Sequence, residues 1–375
     1  AILGGATSFI ESTLAQVYKR KNPDGTYFGG PSYYMETALK KRWLGVIFAV
    51  IIILTYAVGY NMLASYNLQS SFSAFSFYHE GSTPLVIGII LALLFAVCVM
   101  GGAKRLTKIT GALVPIMGIF YVAVAVVVVV GNASIVPEVF RNIFASAFDF
   151  PAIFGGFTGS CMMEGIKRGL YSNEAGMGSV PNAAATADAS HPVKQGLVQA
   201  LGVFVDTMFV CTASAMIVLL SPDWHGAQLT GIELTQHVLT GQLGAWTNTF
   251  MTVIVLFFAF SSIIGNYFYG EVNMDFISRR PIASWIFRGC VLVMVYFGSV
   301  ASLNIVWNLA DLFMALMAML NLAAIALLGR YAFAAMKDYF KQRSEGVENP
   351  EFDPSVLPAT RGIVCWPRKK DEEVN

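Results

Sequence analysis

Two groups of residues have the types and spacing to bind a small polar solute or a cation. The first comprises Gly155, Gly156, Phe157, Thr158 and Gly159, in the middle of an apolar stretch. Glycine in a helix interior costs about 1 kcal/mol relative to alanine, so this cluster requires an explanation. The glycines either permit close packing between membrane helices or mark a helix that unwinds and frees backbone groups to coordinate an ion and a solute. The sequence leaves both interpretations open.

A polar, glycine-rich segment follows at residues 169–179, which read GLYSNEAGMGS. A Ser or Asn here can cap a helix, and the glycines can adopt positive φ angles, so the segment predicts a turn before a helix. The residues that carry this signature loop are Ser172, Asn173, Glu174, Gly176 and Gly178. The chain contains neither a zinc-binding HExxH motif nor a GxSxG nucleophile elbow. We therefore expect a protein that is not an enzyme and has no cofactor.

The second group is the adjacent pair Ser261 and Ser262, deep in the apolar stretch 247–276. Two neighbouring hydroxyls can supply oxygen ligands to a hard cation such as sodium. They can equally bond to the backbone carbonyl one turn earlier, and taken alone the pair favours this structural role because such bonding is common in membrane helices. The five cysteines show no metal-binding spacing, so sodium is the only metal that we expect.

The elements that carry these residues belong to a membrane protein. Hydrophobic residues make up 56% of the 375 residues and charged residues only 13%, whereas soluble domains contain about 25% charged residues. A spanning helix needs about 20 mostly apolar residues. After a partial helix at 1–18, qualifying stretches lie at about 43–67, 84–101, 109–131, 149–167, 196–220, 247–276, 283–301 and 303–329. We therefore predict an all-α polytopic membrane protein.

The basic residues predict the orientation of these spans. Of the 24 Lys and Arg residues, all except Arg141 lie in or beside alternate connections and the tail, and this basic side is normally cytoplasmic. Connections expected on the cytosolic side are 19–42, 102–108 and 168–195, and those expected outside are 68–83, 132–148 and 221–246. We therefore expect a multi-pass protein of the cell membrane with a cytoplasmic C terminus. The 221–246 connection also predicts a short amphipathic helix.

The chain divides into a transmembrane core, residues 1–343, and a polar tail, residues 344–375, which its composition predicts to be mobile and cytosolic. Because the sequence opens inside an apolar stretch without a methionine, we expect an N-terminal piece to be missing.

Ionisable residues within spans usually have a function or a partner. Five qualify: Glu11, Glu164, Asp206, Glu271 and Asp311. Asp206 and Asp311 lie deeper in their spans, where either could hold a broken helix through hydrogen bonds or take part in gating, and Glu271 is expected near a cytosolic helix end. A local pair of Glu164 with Lys167 or Arg168, at a cytoplasmic helix end, is expected.

Several stretches resemble the alanine or glycine:cation symporter family. The chain reads GGFTGS at 155–160 and GIKRGLYSNEAGMGSVPNAAATA at 165–187, where the family reads like GGFAGA and GVARGLFSNEAGLGSAP. The opening ATSFIESTLAQVYKR and the stretch at 306–328 are also similar to the family. The resemblance implies a leucine-transporter-like inverted-repeat fold with a partial first repeat, about 1–131, and a second repeat, about 149–329. The first core helix and part of the second would be missing.

The resemblance also implies site residues. Backbone and side-chain groups expected to bind the substrate are Gly155, Gly156, Phe157, Thr158, Gly159, Asn61, Ser262 and Asn266. The stretch FAFSSIIG resembles the family's FAFSTIIG, which implies that Ser261 and Ser262 bind sodium. Two departures affect the substrate. Asn266 stands where the family often has tryptophan, and residues 59–67 lack the glutamine of the corresponding family stretch.

Together these features predict symport of a small neutral amino acid, alanine or glycine, with sodium across a lipid bilayer. A proton-coupled amino acid transporter, a channel and a non-transporting membrane subunit are the alternatives. Channels need rings of carbonyls or charges around an axis, and no filter-like repeat is visible in the sequence. No basic face alternates with stacking aromatic residues, so we expect no nucleic acid partner.

Overall fold

Long helices account for most of the computed structural model, which describes residues 1–100, 103–148, 157–224 and 227–366, with the backbone alone at 100, 103–110, 112–113 and 157–161. The helices are α1 (Ile2–Val17), α2 (Pro31–Thr37), α3 (Arg42–Ser70), α4 (Thr83–Met100), α5 (Ala103–Gly131), α6 (Val136–Ala147), α7 (Phe157–Asn173), α8 (Val180–Ala184), α9 (Pro192–Leu219), α10 (Gly231–Leu243), α11 (Trp246–Ile277), α12 (Pro281–Val300) and α13 (Leu303–Ser344). A short antiparallel pair, β1 (Arg20–Lys21) and β2 (Tyr27–Phe28), connects α1 to α2.

The predicted apolar spans lie on helices throughout the part of the chain that the structure describes. Among the described residues, six helices are long and apolar enough to cross a membrane, namely α3, the second part of α5, α9, α11, α12 and α13, and α4 is a shorter apolar helix. Residues 149–156 of one predicted span lie outside the described residues, and the rest of that span belongs to α7. The predicted all-α polytopic architecture is confirmed, and the amphipathic helix expected within 221–246 is α10.

Two of the spanning helices contain a widened, π-helical segment. In α3 this segment is Leu54–Tyr60, and in α9 it is Asp206–Cys211. Such insertions interrupt the regular backbone ladder and occur frequently at functional sites. Both segments adjoin the candidate site described below.

Apolar packing divides into clusters that different helices share. The largest joins α1, α2, α3 and α13 and includes the fully buried Leu14, Phe48 and Met317. A second cluster joins α3, α4, α11 and α12 around Phe95 and Val291. Large side chains on the outer surface are exposed instead, as expected where lipid rather than water covers apolar atoms. Helices α1, α3 and α13 therefore meet at the centre, where they surround the candidate site.

Residues 168–184 belong to the 168–195 connection that the basic residues predict to be cytosolic, and the side of the membrane on which it lies stays a prediction. Helix α7 continues to Asn173, and Arg168 donates from Nη2 to both carboxylate oxygens of Asp311, at 2.5 and 2.6 Å. Asp311 lies eight residues, or about 12 Å, from the start of α13. The guanidinium also lies 4.0 Å from the ring centroid of Trp307. Arg168, whose side chain is 35% exposed, therefore ties α7 to α13 through a carboxylate and an aromatic face.

The polar tail packs against the core up to Trp366, although its composition predicts mobility. Trp366 Nε1 donates to the carbonyl of Gln16 at 2.9 Å, and the Lys19 ammonium lies 4.6 Å from the centroid of its ring. The ring of Phe352 meets those of Trp366 and His191, at 5.2 and 5.1 Å. A few aromatic side chains among polar residues therefore dock this segment, and an average over composition does not detect them.

Candidate functional site

The central feature of the site is a break between α7 and α8. Over residues 174–179 the chain leaves the helix, with positive φ angles at Glu174 (53°), Gly176 (80°) and Gly178 (90°). A Cβ at Gly178 would lie 2.7 Å from the Phe48 ring and 2.8 Å from Pro31. The positive φ angles predicted for these glycines are confirmed. Because a helix break inside the protein leaves amides and carbonyls without helical partners, other residues must satisfy them.

Glu11 and Asn321 satisfy one side of this break. The Gly176 amide donates to Glu11 Oε1 at 3.1 Å, and Asn321 Nδ2 donates to Glu11 Oε2 at 2.6 Å and to the Gly176 carbonyl at 2.9 Å. The Tyr34 hydroxyl donates to Asn321 Oδ1. Glu11, Tyr34 and Asn321 are fully buried, so they hold the backbone of the break through α1, α2 and α13.

The other side of the break presents Glu174. Its Oε2 accepts a hydrogen bond from the Ser179 hydroxyl at 2.7 Å. Four tyrosines interact electrostatically with this carboxylate, and we call them the tyrosine cluster: Tyr56, Tyr60, Tyr171 and Tyr269. Adjacent rings lie 4.9 to 5.0 Å apart. Two of these tyrosines, Tyr56 and Tyr60, lie in the π-helical segment of α3.

The predicted substrate residues Asn61 and Asn266 are brought together beside this cluster. Asn266 Nδ2 donates to Asn61 Oδ1 at 3.0 Å, and both side chains are buried. Asn61 directly follows the π-helical segment of α3, and Asn266 lies one turn before Tyr269 on α11. The pair therefore joins two helices that also supply the tyrosine cluster.

The predicted sodium ligands lie about one turn before Asn266 on α11. The Ser261 hydroxyl donates to the Phe258 carbonyl at 2.9 Å, whereas Ser262 is exposed and has no hydrogen bond with the described residues. Ser262 and Asn266 are four residues apart and thus share a face of the helix. The sodium site stays a prediction, with Ser261 in the structural role that the sequence left as its alternative.

The glycine cluster is only partly described. Gly155 and Gly156 lie outside the described residues, and the backbone of Phe157, Thr158 and Gly159 forms the first turn of α7. Within the described chain, a non-helical segment lies at Glu174–Ser179. Substrate contacts of the glycine cluster stay a prediction.

Helix α9 holds the last turn of α7 next to the break. The Ser172 hydroxyl donates to Asp206 Oδ2 at 2.7 Å, and Asn173 Nδ2 donates to Thr207 Oγ1 at 3.3 Å. Asn173 Oδ1 also accepts from the Ala175 amide at 3.1 Å. Of the two roles that the sequence left open for Asp206, support of a broken helix fits this geometry.

Several residues of the site are not evident from the sequence. Tyrosines in apolar spans resemble ordinary membrane aromatic residues, and Asn321 is a single polar residue in a long apolar stretch. The sequence offered one indication, namely that Glu11 and Asn321 are polar residues within apolar stretches. Such residues need hydrogen-bond partners inside the protein. Sequence spacing cannot identify those partners, because Glu11 and Asn321 are 310 residues apart.

Comparison with known proteins agrees with this arrangement. A sequence model described as the sodium:alanine symporter family matches residues 1–354. The chain is 45% identical to the probable sodium/glutamine symporter GlnT of Bacillus subtilis, over 98% of this chain and 76% of the relative. It is 42% identical to the amino-acid carrier protein AlsT of the same organism, over 99% and 78%. It is 34% identical to the sodium/alanine symporter AgcS of Methanococcus maripaludis, over 93% and 77%.

These matches extend over nearly the whole chain and include the helices that form the site. They point to a transporter rather than an enzyme, with sodium as the coupling ion and no cofactor. The chain belongs to the sodium:alanine symporter family, whose members are multi-pass membrane proteins that move an amino acid together with sodium.

Proposed function

We propose that this protein imports a small neutral amino acid with sodium, and that the substrate binds at the break between α7 and α8. The observation that carries the proposal is the buried break at Glu174–Ser179, which lies between α1, α3, α11 and α13. Backbone groups freed at such a break bind the carboxylate and ammonium of amino acids in transporters with discontinuous helices. A leucine-transporter-like inverted-repeat fold, with α7 and α8 as a broken helix, is part of this proposal.

Alanine and glycine are the substrates that the site supports first. The tyrosine cluster surrounds the break closely, and Gly178 has no space for even one added carbon. A side chain larger than a methyl group would have to displace buried rings, which are packed as densely as an organic crystal. The name of the relative AgcS, a sodium/alanine symporter, supports the same choice.

Glutamine is a second candidate because of one specific observation. Asn61 and Asn266 form a buried amide pair at the position where the family often has a tryptophan. Amide groups can donate to and accept from a carboxamide, so the pair can exchange its mutual hydrogen bond for two with a glutamine side chain. The relative GlnT is named a probable sodium/glutamine symporter.

Sodium binding is proposed for the same region of α11. Ser262 has a hydroxyl without a hydrogen bond to the described residues and shares a helix face with Asn266. Ser261 can join it only by giving up its bond to the Phe258 carbonyl. Oxygen ligands of this kind suit a hard cation.

Uptake by the purified transporter in proteoliposomes tests the proposed function. An inward sodium gradient should drive accumulation of labelled alanine, and dissipation of the gradient should abolish it. Unlabelled alanine, glycine and glutamine are then compared as competitors with leucine and phenylalanine. Equal competition by the large residues would contradict a small-substrate site, and accumulation driven equally well by a proton gradient without sodium would contradict sodium coupling.

A further inference from the structure

We propose that the Glu174 carboxylate is the counter-charge for a transported cationic group, completed by the hydroxyls of Ser179 and Tyr56. This inference rests on the proposed function, since the cation is either the ammonium of the amino acid or the sodium ion. Both are small monovalent cations that a carboxylate and neighbouring oxygen atoms can bind.

The first support is that Glu174 has no basic side chain paired with it among the described residues. Asp311 is paired with Arg168, and Glu271 lies 3.4 Å from Arg288. No ion pair joins Glu174 to a basic side chain in the part of the chain that the structure describes, where Ser179 donates to it at 2.7 Å and the Tyr56 hydroxyl lies beside it. An ionised carboxylate among apolar rings is unfavourable unless a positive charge or several donors compensate it. A bound cation supplies that charge.

The second support comes from two tyrosine hydroxyls. Tyr56 is 0% exposed and Tyr60 is 5% exposed. The Tyr60 hydroxyl has no hydrogen-bond partner among the described residues, and the Tyr56 hydroxyl lies beside the Glu174 carboxylate and the Ser179 hydroxyl without a well-formed hydrogen bond to either. Both interact electrostatically with the Glu174 carboxylate. Buried hydroxyls are normally paired, so unpaired ones beside a carboxylate indicate a ligand whose binding would satisfy them.

The third support is the backbone conformation of Glu174. Its φ of 53° is left-handed, a region that residues other than glycine, asparagine and aspartate seldom occupy. Such conformations persist where the surroundings impose them and are concentrated at functional sites. Here the conformation places a carboxylate at the helix break, next to rings whose faces attract an ammonium group.

Equilibrium binding to the purified transporter tests the inference, with Glu174→Gln as the main variant. The change removes the charge but keeps the size of the side chain and an oxygen acceptor for Ser179. Tyr56→Phe removes only a hydroxyl and serves as the second variant. Glu164→Gln is the matched control, because Glu164 lies on α7 as well but is exposed and paired with Lys167. Labelled alanine and labelled sodium are the probes.

If Glu174 binds the ammonium, the Kd of alanine at saturating sodium should rise roughly ten- to a hundredfold in Glu174→Gln, as expected for loss of a hydrogen bond to a charged group. If it binds sodium, the half-saturating sodium concentration should rise by a similar factor while alanine binding at saturating sodium is kept. Either result supports the inference, with a smaller change in the same direction for Tyr56→Phe and none for the control.

Unchanged alanine and sodium binding in a folded Glu174→Gln variant would overturn the inference and leave the proposed function intact. If that variant does not fold, wild-type affinities in Tyr56→Phe overturn it. A wild-type protein that binds no neutral amino acid in sodium contradicts the proposed function itself, and the inference fails with it.

Discussion

Glu11 and Glu174 lie on opposite sides of the same helix break, and their surroundings differ. Glu11 is fully buried and receives hydrogen bonds from the Gly176 amide and from Asn321. Glu174 receives one from Ser179 and otherwise faces the tyrosine cluster, in which two hydroxyls are unpaired. One carboxylate thus has its oxygen atoms occupied by the protein, whereas the other has capacity left for a ligand.

This difference separates two tasks that a buried acid can perform in a membrane transporter. A carboxylate surrounded by donors holds the unwound backbone, because it satisfies amides that no helix can satisfy. A carboxylate with unused capacity provides charge for a bound cation. The same residue type therefore has a positioning role at one wall of the site and a proposed binding role at the other. Substitutions on each side can test this division.

The largest effect is expected for Glu11→Ala. The change leaves the Gly176 amide and one donor of Asn321 unpaired in a dry interior, where each lost partner costs about 1–3 kcal/mol. Unfolding in detergent should occur at a clearly lower temperature, and transport should be lost. Glu174→Ala is the comparison, with a smaller loss of stability. Equal destabilisation by both variants would contradict the division of roles.

Gly178→Ala is expected to have the next largest effect. An alanine with a positive φ costs about 1–2 kcal/mol, and its Cβ would overlap the Phe48 ring and Pro31, which adds about 1–3 kcal/mol. Gly176→Ala is a matched control with a similar φ, but its Cβ would meet the end of the flexible Leu322 side chain. Thermal unfolding of both variants measures the difference, and a greater loss at Gly176 would contradict this packing argument.

Asn266→Ala should have a moderate effect on stability and a selective effect on substrate choice. It removes the 3.0 Å hydrogen bond to Asn61, worth about 1 kcal/mol. If the amide pair recognises a carboxamide, competition by glutamine should weaken more than competition by alanine. Parallel inhibition curves for the two amino acids decide the question, and an equal change in both would remove the case for glutamine.

The smallest effect is expected for Ser261→Ala. Its hydroxyl bonds to the carbonyl of Phe258 within the same helix, so its removal should change stability by less than about 0.5 kcal/mol. Ser262→Ala should instead raise the sodium concentration needed for half-maximal uptake. If the two variants alter sodium dependence equally, both hydroxyls bind the ion and the structural role of Ser261 is wrong.

Much of the fold could be predicted because its signals are local. Apolar stretches long enough to span a bilayer correspond to the spanning helices, and the amphipathic segment within 221–246 contains α10. Gly176 and Gly178 were expected to adopt positive φ angles, since glycine does so without a steric penalty. The family resemblance, carried by the motif at 165–187, indicated the symporter family that the family match confirms.

Composition and hydropathy identified the spans because burial in lipid acts on each segment separately. The place of the helix break, the pairing of Arg168 with Asp311 and the docking of Trp366 depend on segments that are distant in sequence. The sequence indicated possible unwinding at the glycines of 155–159, of which 155 and 156 lie outside the described residues, and a turn at Gly176 and Gly178. In the described chain the break occurs where Glu11 and Asn321, from α1 and α13, can satisfy the freed backbone. Only the tertiary structure brings those partners together, and a buried backbone group without a partner is too costly to persist.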